Sequence, residues 1–112
     1  MGESGATTVA VWSVEEQSVA QQAFASAQQR AIEGLITSVR LQAGSLDSVE
    51  SLWQLHDFLS IQRHAMEGRF DFRLDGILFV FAGLVKDGLL AIEELTGLED
   101  DKLAKIRAMA QF

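Results

Sequence analysis

The stretch SVEEQSVAQQAFASAQQRAIEGLITSVRLQAG, residues 13–44, decides the fold because it predicts one helix of unusual length. Ser13, with Glu16 three residues later, forms a capping-box pattern that favours a helix start. Gly44 is the predicted stop, as the glycine that follows the last helical turn. At about 1.5 Å per residue the helix is roughly 45 Å long. That length exceeds what a domain of 112 residues needs.

Two apolar stripes run along this helix. One stripe can pack on the next helix of the same chain, and the other then needs a different surface to cover it. This excess of apolar surface suggests a helical dimer, although burial of both stripes within one chain remains equally open. The first stripe comprises Ala20, Ala23, Phe24, Ala27, Ala31 and Leu35, and the second comprises Ile32, Ile36, Val39 and Ala43.

The composition of the chain favours helix almost throughout. Proline is absent, and alanine, leucine, glutamine and glutamate are abundant. The absence of cysteine excludes disulfides, a thiolate nucleophile and a Cys-ligated zinc site. A hydrophobic content of 48% and a charged content of 22% are typical of a globular protein. We predict a flexible N-terminus over residues 1–12 and a single all-helical domain over residues 13–112.

Two further helices follow the long one in the predicted pattern. The second begins at Asp47, which is placed to cap it, with Glu50 three residues later. Gly68 ends this second helix. The third follows a cap at Asp71 and is closed by Gly88. Because the third segment is apolar nearly all round, we expect it to be the central buried helix.

The C-terminal part of the chain is predicted to be helical as well. A short helix is expected over residues 89–95, and a turn with a second cap over residues 96–99. The last helix, over residues 100–110, is acidic at its start and basic after it, as the helix dipole favours. The sequence therefore predicts an all-α protein. In it the long N-terminal helix packs with the second helix, and the rest forms a compact C-terminal head.

Charge and hydropathy exclude several classes of protein. The formal net charge of −7 argues against nucleic acid as the main ligand. A basic island nevertheless combines Arg63, Arg69 and Arg73 with His64, and an acidic surface on a protein partner would complement it. The chain start lacks the pattern of a signal peptide. The longest apolar run, residues 76–85, is too short to span a bilayer.

The second helix carries a tryptophan among polar side chains. At 100° per residue these side chains lie within about 80° either side of Trp53, whereas apolar side chains lie on the opposite side. Trp and Arg are enriched at interface hot spots. A docking surface and a Trp53 that merely packs on the first helix both remain open. The Trp53 strip comprises Trp53, His56, Asp57, Ser60, Arg63 and His64. The apolar side, expected in the core, comprises Leu55, Phe58 and Leu59, with Leu52 at its boundary.

Catalytic and metal-binding chemistry finds little support in these residues. His56 and His64 lie about 12 Å apart along a helix and cannot share one metal ion. A triad of Ser60, His56 and Asp57 is opposed by the helix, which directs the last two side chains about 100° apart. We expect no metal, no cofactor and no enzymatic activity. The alternative function is a small metal-dependent hydrolase that uses His56 and Asp57.

A longer pattern resembles the fluorescence recovery protein family of cyanobacteria. It reads LWxLHDFLSxxRH over residues 52–64, DxR over residues 71–73 and FVFAxL over residues 79–84, followed by GL, EELT and DKxxKI. The likeness runs from about residue 12 to residue 112. It is far more specific than any of the short motifs above, because it covers nearly the whole chain.

The resemblance implies a regulator that binds another protein. The expected partner is the C-terminal domain of the orange carotenoid protein after photoactivation to its red form. Binding is expected to speed the return to the orange form and to promote detachment from the phycobilisome, which ends non-photochemical quenching. The resemblance also implies an all-helical homodimer without a cofactor. Its expected location is the cytoplasm, peripheral at the cytoplasmic side of the thylakoid membrane.

The resemblance further assigns roles to individual residues. Ile36 matches a dimer-interface position, and its apolar neighbours Leu35 and Val39 are assigned to the same interface. Ser60 joins the expected partner-binding set as a member of the Trp53 strip. The complete expected partner-binding set is Trp53, His56, Asp57, Ser60, Arg63, Phe79 and Lys105.

Overall fold

The structure, a computed structural model, describes residues 11–112. These residues form α1 (Val14–Gly44), α2 (Val49–Arg69), α3 (Ile77–Lys86), the 3-10 helix η1 (Ile92–Leu95) and α4 (Asp100–Ala110). The predicted all-α class is confirmed. The described residues contain no strand, only an isolated bridge between Thr96 and Leu98. None of their helices is both long enough and apolar enough to cross a membrane.

The start of α1 follows the predicted capping box. The backbone N–H of Glu16 donates to Ser13 Oγ at 3.1 Å, and the backbone N–H of Ser13 donates to Glu16 Oε1 at 3.1 Å. Reciprocal bonds of this kind satisfy two of the amide groups that a helix start leaves without partners. The predicted stop is wrong by one position, because Gly44 is the last helical residue and does not adopt a positive φ.

The cap of α2 is Ser48, and the prediction of Asp47 is wrong. Ser48 Oγ accepts a hydrogen bond from the backbone N–H of Ser51 at 3.1 Å, and Ser51 Oγ accepts one from the backbone N–H of Ser48 at 3.1 Å. Glu50 lies in the first turn without closing this box. Gly68 does not end the helix, since it keeps a negative φ and the helix continues through the next residue.

The start of α3 lies later than predicted. The helix begins at Ile77, six residues after Asp71, and its N-cap is Gly76 in the left-handed region at φ 81°. Glycine suits this position because a side chain would strain a left-handed backbone. The expectation of a central buried helix is confirmed for Ile77, Phe81, Ala82 and Leu84, which are buried. It is wrong for Phe79, which is 74% exposed.

Gly88 closes α3 as predicted. It adopts a φ of 77°, and its N–H donates to the carbonyl oxygen of Val85 at 3.1 Å. The N–H of Leu89 donates back to the carbonyl oxygen of Leu84 at 2.9 Å. These two bonds form the Schellman arrangement, which requires a left-handed residue just after the helix.

The segment between α3 and the last helix is less helical than expected. The predicted helix over residues 89–95 is reduced to η1, a single 3-10 turn. The last helix agrees with the prediction over residues 100–110, with Asp100 and Asp101 in its first turn and Arg107 in its last. Carboxylates at the N-terminus and a guanidinium near the C-terminus both stabilise the helix dipole.

The chain divides into two compact units. The core unit consists of the residues up to Ala27 together with Phe72–Phe112, and the strip unit is Gln28–Asp71. Helix α1 contributes residues to both. The single domain predicted over residues 13–112 stays a prediction. Of the predicted flexible N-terminus, residues 1–10 lie outside the described residues.

The core unit contains all the buried residues in the described part of the chain. Helices α3 and α4 pack against each other, and the rings of Phe24 and Phe72 meet edge to face, with centroids 5.1 Å apart. This packing supplies the apolar burial that stabilises a small domain. The buried apolar residues are Ala20, Ala23, Phe24, Ala27, Ile77, Phe81, Ala82, Leu84, Leu90, Leu95, Leu98 and Ile106.

The strip unit has no buried residue, although it contains many apolar side chains. The expectation that one side of α2 enters the core is therefore wrong. Leu55 and Phe58 are only half-buried, and Leu59 is 38% exposed. The large apolar residues exposed in this unit are Ile36, Leu41, Leu46, Val49, Leu52, Trp53, Leu59 and Ile61.

Candidate docking surface

Trp53 lies on an exposed face of α2. Its side chain is 58% exposed, and its ring meets the His56 ring edge to face, with centroids 6.4 Å apart and planes at 89°. The two rings come together because residues three apart lie on the same side of a helix. A half-exposed indole next to an imidazole offers an apolar surface with polar groups beside it.

The His56 and Asp57 side chains approach each other despite being consecutive. His56 Nδ1 lies 3.4 Å from Asp57 Oδ1, and the two side chains are 73% and 75% exposed. The expected divergence of about 100° along the helix is overcome because exposed side chains can turn towards each other. The pair is therefore largely accessible to water, and exposed pairs of this kind contribute about 0–1 kcal/mol to stability.

Arg63 is also exposed and weakly tied. Its Nε donates to Glu67 Oε2 at 3.3 Å, one turn later on α2, and its side chain is 81% exposed. Exposed pairs of this kind are weak because water screens both charges. The guanidinium can therefore exchange Glu67 for a carboxylate on another protein at little cost.

The structure brings the whole Trp53 strip onto one accessible surface. Ser60 and His64 are exposed like the others. An indole, an imidazole, a carboxylate and a guanidinium then lie along one stretch of helix, which is the composition of an interface hot spot. Within residues 11–112, no group of three or more His, Cys, Asp or Glu side chains is placed to hold a metal ion.

The other expected partner-binding residues lie in the core unit. Phe79 projects from α3 with 74% of its surface exposed. Lys105 is exposed on α4, the helix that packs against α3. The expected site residues are thus divided between the two units, five in the strip unit and these two in the core unit.

The expected dimer-interface residues all lie on α1 in the strip unit. Leu35 and Val39 are half-buried, and Ile36 is 45% exposed. Apolar residues in this state lose contact with water only when another surface covers them.

The core unit contains a buried ion pair, between Lys102 and Glu16, that no sequence pattern predicted. Lys102 Nζ donates to Glu16 Oε1 at 3.0 Å and to Oε2 at 2.9 Å, and both side chains are about 95% buried. The ammonium also donates to the carbonyl oxygen of Val11 and lies 4.7 Å from the centre of the Trp12 ring. Lys102 thereby ties the residues before α1 to α4.

The charge of Glu16 is stabilised by the groups around it. Burial raises the pKa of this carboxyl, but hydrogen bonds from the Glu99 backbone N–H, the Lys102 ammonium and the Ser13 backbone N–H lower it. The net effect is a pKa below the usual value for glutamate, since donors that point at a carboxylate favour its ionised form. The sequence signalled Glu16 only as a capping residue, so nothing in it indicated a partner more than eighty positions away.

Comparisons with known proteins match nearly the whole length of this chain. A family model described as "Photoprotection regulator fluorescence recovery protein" matches residues 12–110. The fluorescence recovery protein of Synechocystis sp. PCC 6803 is 46% identical over 106 residues, which are 95% of this chain and 97% of that protein.

Solved structures of similar proteins share the fold. The fluorescence recovery protein of Fremyella diplosiphon superposes with a TM-score of 0.87 at 44% identity. That of Synechocystis sp. PCC 6803 superposes with a TM-score of 0.87 at 45% identity. In each case the alignment covers 91% of this chain and 100% of the other.

Proposed function

The chain belongs to the fluorescence recovery protein family, whose members are photoprotection regulators, and on this premise we propose that it binds the orange carotenoid protein. The proposed target is the C-terminal domain of the photoactivated, red form. Binding accelerates the return to the orange form and promotes detachment from the phycobilisome, which ends non-photochemical quenching.

The observation that carries this proposal is the exposed Trp53 on its polar strip. A large aromatic side chain that remains 58% exposed gains apolar burial only when another surface covers it. The residues beside it offer charged hydrogen bonds in both directions, since Arg63 donates and Asp57 accepts. A protein surface with an apolar pocket and paired charges would complement this arrangement.

The mechanism requires no covalent chemistry from this chain. A binding protein shifts a conformational equilibrium only by its differential affinity for the two states. To accelerate the return, it must bind the transition state for reclosure more tightly than the red form. Trp53 buries its ring in the partner, and Arg63 and Asp57 set the orientation.

The alternative of a small hydrolase rests on His56 and Asp57 alone. The two side chains lie 3.4 Å apart on an exposed helix face, where water screens their interaction. The family is one of regulators rather than enzymes. The exposed pair serves the proposed binding surface equally well, as a polar contact beside Trp53.

We also propose that the protein acts as a homodimer formed through the strip unit. The support is the absence of any buried residue between positions 28 and 71, together with the half-covered side chains of Leu35, Ile36 and Val39. A second copy would cover these side chains, as apolar helix faces require. The proposed location is the cytoplasm, at the cytoplasmic side of the thylakoid membrane where the antenna lies.

The experiment that tests the proposed function is a recovery assay. The orange carotenoid protein is converted to its red form by light, and its return in the dark is followed by absorption with and without the chain. We expect Arg63→Ala and Trp53→Ala to slow recovery by about tenfold or more, as loss of a hot-spot residue implies. Arg40→Ala is the matched control, since Arg40 is exposed on α1 outside the Trp53 strip.

Two outcomes of this assay would contradict the proposal. If the Trp53 and Arg63 variants keep the helical circular dichroism and thermal stability of the wild type yet accelerate recovery as fast, the strip is not the docking surface. If the wild-type chain itself leaves recovery unchanged, the partner is wrong.

A further inference from the structure

The carboxylate of Glu16 joins the starts of two helices in the core unit. Its Oε1 accepts a hydrogen bond from the backbone N–H of Ser13 at 3.1 Å, within the capping box of α1. Its Oε2 accepts one from the backbone N–H of Glu99, the N-cap residue of α4, at 2.9 Å. Glu99 itself makes no side-chain capping bond. A residue of α1 therefore supplies the negative group that stabilises the start of α4.

Lys102 completes this junction from the side of α4. Its ammonium donates to both carboxylate oxygens of Glu16, at 3.0 and 2.9 Å, and to the carbonyl oxygen of Val11. The centre of the Trp12 ring lies 4.7 Å from the same nitrogen. A lysine has three N–H donors, and these three oxygen atoms use all of them. We call this arrangement the Glu16–Lys102 junction.

Stability alone does not account for a buried ion pair at this place. Removing two charges from water costs about as much as their attraction returns, and apolar side chains of similar volume often stabilise a protein equally well. What the pair adds is direction. Three hydrogen bonds from one ammonium fix both the distance and the rotation of the helix that carries it, because each bond weakens steeply away from its preferred geometry.

Helix α4 has few other means of fixing its position. Lys102 and Ile106 are the only buried residues among its 11, and they lie one turn apart on one side of the helix. Burial of an apolar side chain such as Ile106 is non-directional. It holds α4 in the core without selecting one rotation or one register, so the directional bonds of Lys102 make that selection.

The position of Lys105 depends on this selection. Lys105 is exposed and follows Lys102 by three residues, about 4.5 Å further along the axis of α4. Within residues 11–112 its side chain makes no hydrogen bond and no ion pair. Only the setting of α4 therefore determines the region that its ammonium can reach, and a rotation or a slide of the helix would move that region with it.

We propose that Glu16 and Lys102 are positioning residues for docking, because their junction holds α4 in the setting that presents Lys105 to the partner protein. The inference rests on the proposed function, since it takes Lys105 as a contact of that partner. It adds two buried residues that touch no partner to those on which recognition depends. Their contribution is preorganisation, which spares the complex the cost of ordering α4 on binding.

The first test measures the setting of α4 in the chain itself. The sequence contains no cysteine, so Gln22→Cys and Lys105→Cys place one spin label on α1 and one on α4, both at exposed positions of the core unit. Labelled chain is diluted with unlabelled chain, and double electron–electron resonance then records distances within single chains. We expect a narrow distance distribution that broadens when Glu16→Gln and Lys102→Met are introduced together. Removing both charges leaves neither one buried without its partner.

The second test uses the whole partner and asks whether the junction acts through Lys105. We expect the combined change Glu16→Gln and Lys102→Met to weaken binding of the red orange carotenoid protein about threefold to tenfold, as loss of coupling between contacting residues implies. In a Lys105→Ala background the same change should alter the affinity by less than about twofold. Arg107→Ala is the matched background, since Arg107 is an exposed cation on the same helix, and there the full loss should remain.

A second variant keeps the inference testable if the combined variant does not fold. Circular dichroism and thermal unfolding show whether the fold is kept. If it is lost, Glu16→Gln alone replaces the combined variant in both tests, because the new amide oxygen can still accept hydrogen bonds after the charge is gone. The expected changes then have the same direction and are smaller.

The outcomes separate this inference from the proposed function. If the wild-type chain does not bind the red form at all, the proposed function fails, and the docking role of the junction fails with it. If the wild type binds, but the junction variant binds as tightly or loses the same affinity in the Lys105→Ala and Arg107→Ala backgrounds, the positioning inference alone is overturned. An unchanged distance distribution would also overturn it, since α4 would then keep its setting without the ion pair.

Discussion

The core unit and the strip unit differ in how far they bury their side chains. Every buried residue in the described part of the chain belongs to the core unit, including the ion pair of Glu16 and Lys102. The strip unit spans 44 residues, Gln28–Asp71, and buries none of its side chains. Large apolar residues such as Ile36 and Ile61 remain 45% and 65% exposed there.

This difference teaches that helix content and apolar content do not by themselves give a core. Helix α2 is continuous over its 21 residues, yet none of its side chains is buried within the chain. Because most helical stability in proteins comes from tertiary packing, the proposed dimer would give the apolar side chains of the strip unit the cover that they lack within one chain. The core unit supplies its own.

The largest expected effect is on the ion pair of the core unit. Lys102→Ala leaves the buried carboxylate of Glu16 without its cation, and loss of one partner of a buried pair costs about 3–5 kcal/mol. The free energy of unfolding, measured by urea denaturation, should fall by that amount. Lys105→Ala is the matched control, since Lys105 is an exposed lysine on the same helix and should change stability by less than about 0.5 kcal/mol. Equal stabilities for the two variants would contradict a stabilising role of the buried ion pair in the core unit.

The next effect is expected in the strip unit. Ile36→Glu places a charge in the proposed dimer contact, where its desolvation costs several kcal/mol, and should convert a dimer into a monomer. Light scattering with size-exclusion chromatography measures the mass. Val14→Glu, at an 83% exposed position of α1 in the core unit, should leave the dimer intact. A dimeric Ile36 variant would contradict the proposed interface.

Substitution of one glycine in each unit should change stability by smaller amounts and in opposite directions. Gly97, in the core unit, has a φ of 116°, and a Cβ there would lie 2.8 Å from Val19 Cγ2. Gly97→Ala should therefore destabilise the protein by about 1–2 kcal/mol, because strain and crowding add. Gly68→Ala, in the strip unit, meets nothing within 4 Å and has no positive φ, so it should stabilise by up to about 1 kcal/mol. Thermal unfolding of both variants shows whether each substitution raises or lowers the stability of the protein. A change in the same direction for both variants would contradict the account.

The mildest expected effect is the pH dependence of the core unit. Glu16 has a pKa below its usual value in the folded state, whereas an unfolded glutamate titrates near about 4.3. The folded state therefore binds fewer protons between these two pKa values, and the stability that Glu16 contributes is fully present above about pH 4.3. It is lost as the pH falls through the folded-state pKa. The difference in free energy of unfolding between wild type and Glu16→Gln should narrow on acidification, and a constant difference would refute the assignment.

Much of the fold could be read from local sequence patterns. The capping box of Ser13 and Glu16, the closure by Gly88 and the last helix at 100–110 all depend on residues within a few positions of one another. The errors have the same origin. Ser48 replaced Asp47 as a cap because two neighbouring side chains compete for one role, and sequence gives no geometry to choose between them.

The long-range features could not be predicted from local patterns. Lys102 and Glu16 meet only through the tertiary packing of α4 on the start of α1. Helical periodicity does not predict pairs of residues so far apart in the sequence. The exposure of Phe79 likewise contradicts the apolar pattern around it, since an exposed apolar residue and a buried one look the same in the sequence. The Trp53 strip was predictable because its polar neighbours repeat at helical spacing on one face.

The measurement that tests the docking claim most directly is amide hydrogen exchange with and without the photoactivated orange carotenoid protein. Complex formation should slow exchange across residues 52–64, because covering Trp53 and Arg63 stabilises this part of an otherwise unburied helix. The Trp53→Ala variant should lose that protection. A complex that forms while exchange over residues 52–64 stays unchanged would contradict the account.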